Sequence, residues 1–386
     1  MARRRKEEKI SLFTKSKEPI DFILLVTVLI LLAMGIIMVL SASSPTSLSE
    51  YGDSYQYVHK QAFCAAVGLG GMIFLSKVDY RFFKKYYKII YWVCIALLAA
   101  VCVFGTSAKG ATRWVNFGFI SFQPSEVAKV GIILFYAEYL MRNKDKLKNF
   151  KEGFVPALTW LILIVIIVYG IQNHLSATII ICGIAVLLMF MAGCKISHFL
   201  LVGVPAIAVV GFYLINKGGF RLERLVSYMD PWTDATGSGW QIIQSLYAIG
   251  SGGIFGVGLG NSKQKYLYIP EPHNDFIFAV LAEELGFLGC AVVIILFAVF
   301  VWRGIVIAMK SKDMFGSLVA MGITSLIAME VIINIAVVTN TIPVTGMSLP
   351  FFSYGGTALI IQLATVGILL SISKGTKAPE KEQIEE

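Results

Sequence analysis

The chain has 386 residues, 57% hydrophobic and 15% charged, with a mean hydropathy of +0.75 and a formal net charge of +9. This composition excludes an ordinary soluble globule, and uninterrupted apolar runs near the ~20 residues that cross a hydrocarbon core exclude a β-barrel, whose strands alternate. The six cysteines form no CxxC pair and the four histidines no HExxH pattern, so buried thiols fit better than disulfides or a zinc cage.

Taken in chain order, a basic cytoplasmic tail (1–19) is followed by an apolar run too long for a signal-peptide core. Ten apolar segments can be drawn, at 20–42, 58–76, 89–105, 126–141, 154–170, 175–192, 199–215, 276–301, 317–339 and 354–372. They predict an all-α polytopic membrane protein with a single ten-helix domain over 20–372 and a cytoplasmic tail over 373–386. With the N-terminus inside, the inside segments hold 24 Lys and Arg and the outside segments 7, with Lys60 and Lys129 in spans. That excess puts both termini in the cytoplasm and accounts for the net charge without a nucleic acid.

The first stretch with chemistry is "AKGATRWVNFG", where Lys109 and Arg113 are either interfacial anchors or an anion site. It leads into "QPSEVAKV", a helix start in which Glu126 and Lys129, three apart, share a face. A structural ion pair and a functional site are both open readings there. Residues 216–275 form one large extracytoplasmic loop, and loops of that length usually carry function. Its piece "GWQIIQSLYAIGSGGIFGVGLG" has seven glycines, which predicts a poor helix and a partly re-entrant, interfacial segment.

The loop ends in "IPEPHNDFIFAVLAEELG". Asn274 or Asp275 can cap the eighth span, and capping alone would account for an acid there. Glu283 lies about 12 Å further along the helix, and solvation does not explain both it and Glu284. At least one needs a polar partner inside the bundle, with Arg or Lys of another span as the candidate. Between the last two spans, "NTIPVTGMSLPFFSYGGTAL" interrupts the apolar pattern with prolines, glycines and hydroxyls, a sign of a cavity.

Together these stretches resemble the SEDS family (shape, elongation, division and sporulation), the polytopic enzymes of bacterial cell-wall assembly. "GATRWVNFGFISFQPSEVAK", "DPWTDATGSGWQIIQSLYAIGSGGIFGVGLG", "YIPEPHNDFIFAVLAEELGFLG" and "NTIPVTGMSLPFFSYGGTAL" occur in family order and spacing, closest to the FtsW and SpoVE branch. The resemblance implies a bacterial cell-membrane peptidoglycan glycosyltransferase acting in division or sporulation. It would polymerise lipid II at the outer leaflet with a class B penicillin-binding protein and other division proteins as partners. It places the essential aspartate of the family on Asp275. Two departures are Asn274, where the family usually has Thr, and Asn173-His174-Leu175, where it commonly has Pro-Asp-Leu.

The implied chemistry is a single inverting displacement, in which Asp275 accepts the proton of a sugar hydroxyl as pyrophosphate leaves. Arg113 and Lys129 are the first choices to meet the developing negative charge, with Lys109, Lys263 and Lys265 behind them. Glu126, Glu283, His273 and Ser353 are expected in support, Glu283 and Glu284 as buried structural groups. No cofactor is expected beyond a possible divalent cation, Mg or Mn. The alternatives are a lipid II flippase and a non-catalytic division scaffold, both open to test through Asp275.

Overall fold

Asp21 opens the first helix by accepting the Leu24 amide at 3.0 Å, and α1 then runs Phe22–Tyr51. The computed structural model describes residues 19–108, 111–116, 121–205, 227–237, 239–266 and 268–374, with backbone alone at 102–104, 106–108, 111–113 and 116. After α1 come α2 (Gln56–Lys77), α3 (Arg81–Phe104), α4 (Pro124–Arg142), α5 (Phe150–Ile171), α6 (Leu175–Met191) and α7 (Ile196–Pro205). Beyond them lie α8 (Trp240–Gly252), α9 (Ile277–Lys310), α10 (Met314–Val338) and α11 (Gly356–Ser373). Among the described residues, α1, α2, α5, α9, α10 and α11 are long and apolar enough to cross a membrane, while α6 and α7 are shorter apolar helices.

The protein is thus a helical membrane protein, with one departure. Residues 106–122 hold a small antiparallel sheet, β1 (Thr106–Ala108), β2 (Ala111–Asn116) and β3 (Ser121–Phe122), in the order β1-β2-β3. A second difference is the length of α1, which continues through "SASSPTSLSEY" past the expected end at 42. The reason is burial: Ser43 and Ser47 are fully buried, and the Ser47 hydroxyl donates to Asp53 O at 2.5 Å. Ser43 and Ser47 therefore face the bundle.

The glycine-rich segment also differs from its propensity. Its first half is the regular helix α8; its second half completes α9. Gly286 breaks α9 with φ 65° and ψ −166°, and a Cβ there would lie 2.3 Å from Gly256 N. The ladder lost at the break is remade with the loop. Val257 N and Gly258 N donate to Glu283 O and Glu284 O, both at 3.0 Å, and Phe287 N and Leu288 N donate to Gly253 O and Ile254 O at 2.9 and 3.1 Å. Such exchange satisfies the freed backbone groups, which cannot be left unpaired in a membrane protein's interior.

Contacts between loops sort the bundle into two ends. Asp21 is paired with Arg303, Arg81 Nε with Asp313 Oδ2 at 3.2 Å, and Lys374 Nζ donates to Ser76 O at 2.8 Å. The Lys- and Arg-rich segments therefore meet at one end. At the other, the Thr357 hydroxyl at the start of α11 donates to Ser121 O of β3 at 2.9 Å, and the Gly355 amide donates to Gln61 Oε1 near the start of α2 at 3.4 Å.

Candidate functional site

Asp275 sits at the second of these ends, half-buried, just ahead of α9. It is not the cap that the local sequence allows: α9 is capped by Phe276 with no side-chain hydrogen bond. The Asn274 side-chain amide donates to Glu271 Oε2 at 3.1 Å, away from α9. What holds Asp275 is long-range. Asn334 of α10, fully buried, donates through Nδ2 to Asp275 O at 2.8 Å and to Met347 O at 2.6 Å. This single amide ties the aspartate to the 341–355 loop. In that loop Gly346 takes φ +69°, and a Cβ there would lie 3.3 Å from Asp275 Oδ2. A glycine is needed both for the left-handed turn and for the room beside the carboxylate.

The same loop is clamped residue by residue. The Ser353 hydroxyl donates to Asn274 O and accepts from Leu349 N, each at 2.7 Å. Gln61 Nε2 donates to Ser353 O at 3.1 Å, and Tyr354 N donates to His273 O at 2.8 Å. Leu349, Phe351 and Phe352 are buried. The irregular backbone is therefore embedded in protein, one of the two conditions under which it is tolerated at membrane depth. The His273 ring lies between Tyr57 and Tyr354, with centroids 4.5 and 5.6 Å away. Burial pushes its pKa down to about 4, against smaller upward pulls from Glu271 and Glu50, so it is neutral near pH 7.

Lys129 forms the second part of the site. Pro124 opens α4, which sets Glu126 in the first turn and Lys129 one turn on. Lys129 Nζ is 2.7 Å from Glu126 Oε2, the partner that the spacing predicts, and 2.5 Å from Glu330 Oε1 on α10. Gln362 Nε2 of α11 donates to the other oxygen of Glu330 at 3.4 Å. Glu330 and Gln362 are absent from the sequence reading. The signal for Glu330 was present, since an acid in the middle of "MGITSLIAMEVIINIA" is an intramembrane charge like any other. Glu330 and Asn334 are four residues apart, hence on one face and about 6 Å apart along the axis. Helix α10 thus bonds the lysine with one turn and the aspartate's backbone with the next.

Lys265 and Glu283 have other partners. Lys265 is buried, and its ammonium donates to Glu284 Oε1 at 2.9 Å, Ser41 Oγ at 3.0 Å and Gly260 O at 2.6 Å. Three protein acceptors thus take the three donors of its ammonium, an arrangement that the sequence did not suggest. Glu284 therefore takes its charge partner from the loop rather than from another span. Glu283, also buried, has no cation partner among the described residues: it accepts from Ser262 Oγ at 2.5 Å and from the Lys263 and Gln264 amides at 2.9 and 3.3 Å. The Lys263 side chain itself is exposed. Lys109 lies outside the described residues, and of Arg113 the backbone alone, in β2, is described. Among the described residues no group of three or more His, Cys, Asp and Glu is placed to hold a metal.

The departure at Asn173 and His174 borders the site. Asn173 is left-handed at φ 54°, and two residues past His174 the Ser176 hydroxyl donates to Thr345 O of the 341–355 loop. This turn therefore helps to seat the loop that carries Gly346.

Comparison with known proteins gives a consistent picture. A sequence model of the family FTSW_RODA_SPOVE, described as cell cycle protein, matches residues 22–378. The chain is 43% identical over 364 residues to the stage V sporulation protein E of Bacillus subtilis, covering 94% of this chain and 98% of that one. It is 41% identical over 359 residues to a probable peptidoglycan glycosyltransferase FtsW of Geobacter sp. (strain M18), covering 92% and 97%. A solved structure described as structural coordination of polymerization and crosslinking by a peptidoglycan synthase complex is similar with a TM-score of 0.77 at 27% identity, over 92% and 97% of the two chains. The rod shape determining protein RodA of Thermus thermophilus gives a TM-score of 0.67 at 25% identity, over 93% and 98%.

Proposed function

The chain belongs to the FtsW/RodA/SpoVE family of cell cycle proteins, and on that premise we propose that it is a peptidoglycan glycosyltransferase polymerising lipid II at the outer leaflet, with Asp275 as general base. The observation that carries the catalytic assignment is the seating of Asp275. Its backbone is gripped by Asn334, its carboxylate faces a glycine that leaves room beside it, and neither is explained by helix capping.

A sugar hydroxyl is a weak nucleophile, and Asp275 accepts its proton as the new glycosidic bond forms. The pyrophosphate of the donor leaves from the opposite face, so an α-linked donor gives a β-linked product in one step. No covalent nucleophile is required. Lys129, Arg113 and Lys263 supply positive charge to the departing pyrophosphate. Glu126 and Glu330 hold Lys129, and the first of these, at the cluster's more open edge, is the one that can yield to an anionic ligand. A cross-linking partner, a class B penicillin-binding protein, is part of this reading, supported by the chain's similarity to a peptidoglycan synthase complex that coordinates polymerization and crosslinking.

The test is a polymerisation assay on lipid II with the purified full chain, alone and with a co-expressed class B penicillin-binding protein. Glycan strands of increasing length are expected. Lipid II that crosses the bilayer without being polymerised would replace this reading with a flippase.

Asn334 gives a further prediction within the same scheme. In Asn334→Leu the Asp275 and Met347 carbonyls lose their donor, and a shift of about 1 Å in a base costs on the order of 10²-fold in turnover. The expected result is a fall in kcat with KM little changed and partial recovery in Asn334→Gln. A normal kcat in a less heat-stable protein would reduce Asn334 to a packing residue.

A further inference from the structure

Away from the catalytic end, α3, α4 and α5 enclose a groove of about 320 Å³. Its walls are Tyr87, Lys88 and Trp92 of α3, Tyr139 and Asn143 at the end of α4, and Trp160 of α5. The groove lies toward the end where the basic segments meet. Lys88 is seven residues inside α3, about 10 Å from its start, a depth from which a lysine reaches the headgroup level along its own stem. Beside the groove the outward surface of the helices is apolar, with Ile89, Trp92, Val93 and Ile162 all exposed.

Charge distinguishes this groove from an ordinary gap between helices. The two segments that flank it, 77–88 and 142–153, carry ten Lys and Arg against three acids, Asp79, Asp145 and Glu152. The nearest Arg is already committed, since Arg142 Nε is 2.5 Å from Glu138 Oε1. Lys88 has no carboxylate partner among the described residues; its ammonium stands 5.9 Å from the Tyr87 ring centroid. An aromatic slot with an uncompensated lysine and an amide at its mouth, set in strongly basic loops, suits a phosphate attached to an acyl chain. A basic pocket between helices on the cytoplasmic side is the form that anionic-lipid sites take.

We propose that this groove binds one anionic glycerophospholipid of the cytoplasmic leaflet, its phosphate at Lys88 and Asn143 and an acyl chain along Trp92 and Trp160. A zwitterionic lipid fits less well because its own cation would be brought to Lys88. A free phosphate leaves the aromatic walls uncovered. The site is independent of the catalytic reading: it lies at the other end of the bundle, on α3, α5 and the end of α4 opposite Lys129.

The experiment uses the full chain in phosphatidylcholine vesicles doped with either phosphatidylglycerol or phosphatidylcholine carrying brominated acyl chains, which quench nearby tryptophan. The groove signal is the part of the fluorescence lost in a Trp92→Phe, Trp160→Phe double variant. Brominated phosphatidylglycerol is expected to quench it at roughly fivefold lower mole fraction than brominated phosphatidylcholine, about one basic residue's contribution. Lys88→Gln should bring the two lipids together, while Lys148→Gln, on the exposed loop, should leave the preference intact. Equal quenching by both lipids in the native protein overturns the proposal, and so does equal loss of preference in Lys148→Gln, which indicates diffuse surface charge. Displacement of the brominated lipid by inorganic phosphate likewise overturns it in favour of a soluble anion. Counting phosphatidylglycerol retained by the native protein and by Lys88→Gln in native mass spectrometry repeats the test without altering a tryptophan.

Discussion

Asp275→Asn is expected to lower the rate of lipid II polymerisation by about 10²–10⁴-fold, the usual contribution of a positioned base. The substitution keeps the shape of the side chain and keeps the backbone carbonyl that accepts from Asn334. It also removes no helix cap, since α9 is capped at Phe276 without a side-chain bond. The protein should therefore reach the membrane in normal amount and bind its substrate, and the loss should fall on turnover. Asp275→Glu tests position separately: the carboxylate is retained but pushed along its axis beside Gly346, and only part of the activity should return. Neighbouring His273 does not substitute as base. Its ring is packed between Tyr57 and Tyr354 and its pKa is pushed down to about 4, so it is a weak proton acceptor. Glycan strands formed at the native rate by Asp275→Asn would remove the base assignment altogether.

The parts of this site that were legible in the sequence are those fixed by local geometry or by the solvent. The apolar runs and the asymmetry of Lys and Arg are responses to the bilayer, so they read directly as helices and as two ends. The pairing of Glu126 with Lys129 follows from three-residue spacing on one helix. What could not be read is what depends on contacts across the chain. Glu330 reaches Lys129 over 201 positions of sequence, and Asn334 reaches the Asp275 carbonyl over 59. Lys265 is instructive. In the sequence it is a basic residue in an outer loop beside the key aspartate, indistinguishable from exposed Lys263. Only the fold of the loop onto α9 buries it against Glu284 and Ser41. The glycine-rich stretch misleads similarly, because intrinsic propensity says nothing of backbone groups that a second segment will satisfy.

Lys129→Met should cost about 3–5 kcal/mol of stability, the price of stranding buried charge when one member of an ion pair is removed. Here it strands two carboxylates, Glu126 and Glu330, that both point at the lost ammonium. The measurement is thermal unfolding of the detergent-solubilised protein, read alongside the amount recovered from membranes. Adding Glu330→Gln to Lys129→Met should restore much of the loss. The new amide can keep its contact with Gln362, and Glu126, the more exposed of the two acids, can turn toward water. The double variant then separates two roles that the single one confounds. If Lys129 meets the pyrophosphate as it leaves, the repaired protein is folded and still inactive, because the charge that stabilised the transition state is gone. If Lys129 is there only to neutralise two acids inside the bundle, turnover returns together with stability, and the leaving-group charge has to come from Arg113 and Lys263 instead.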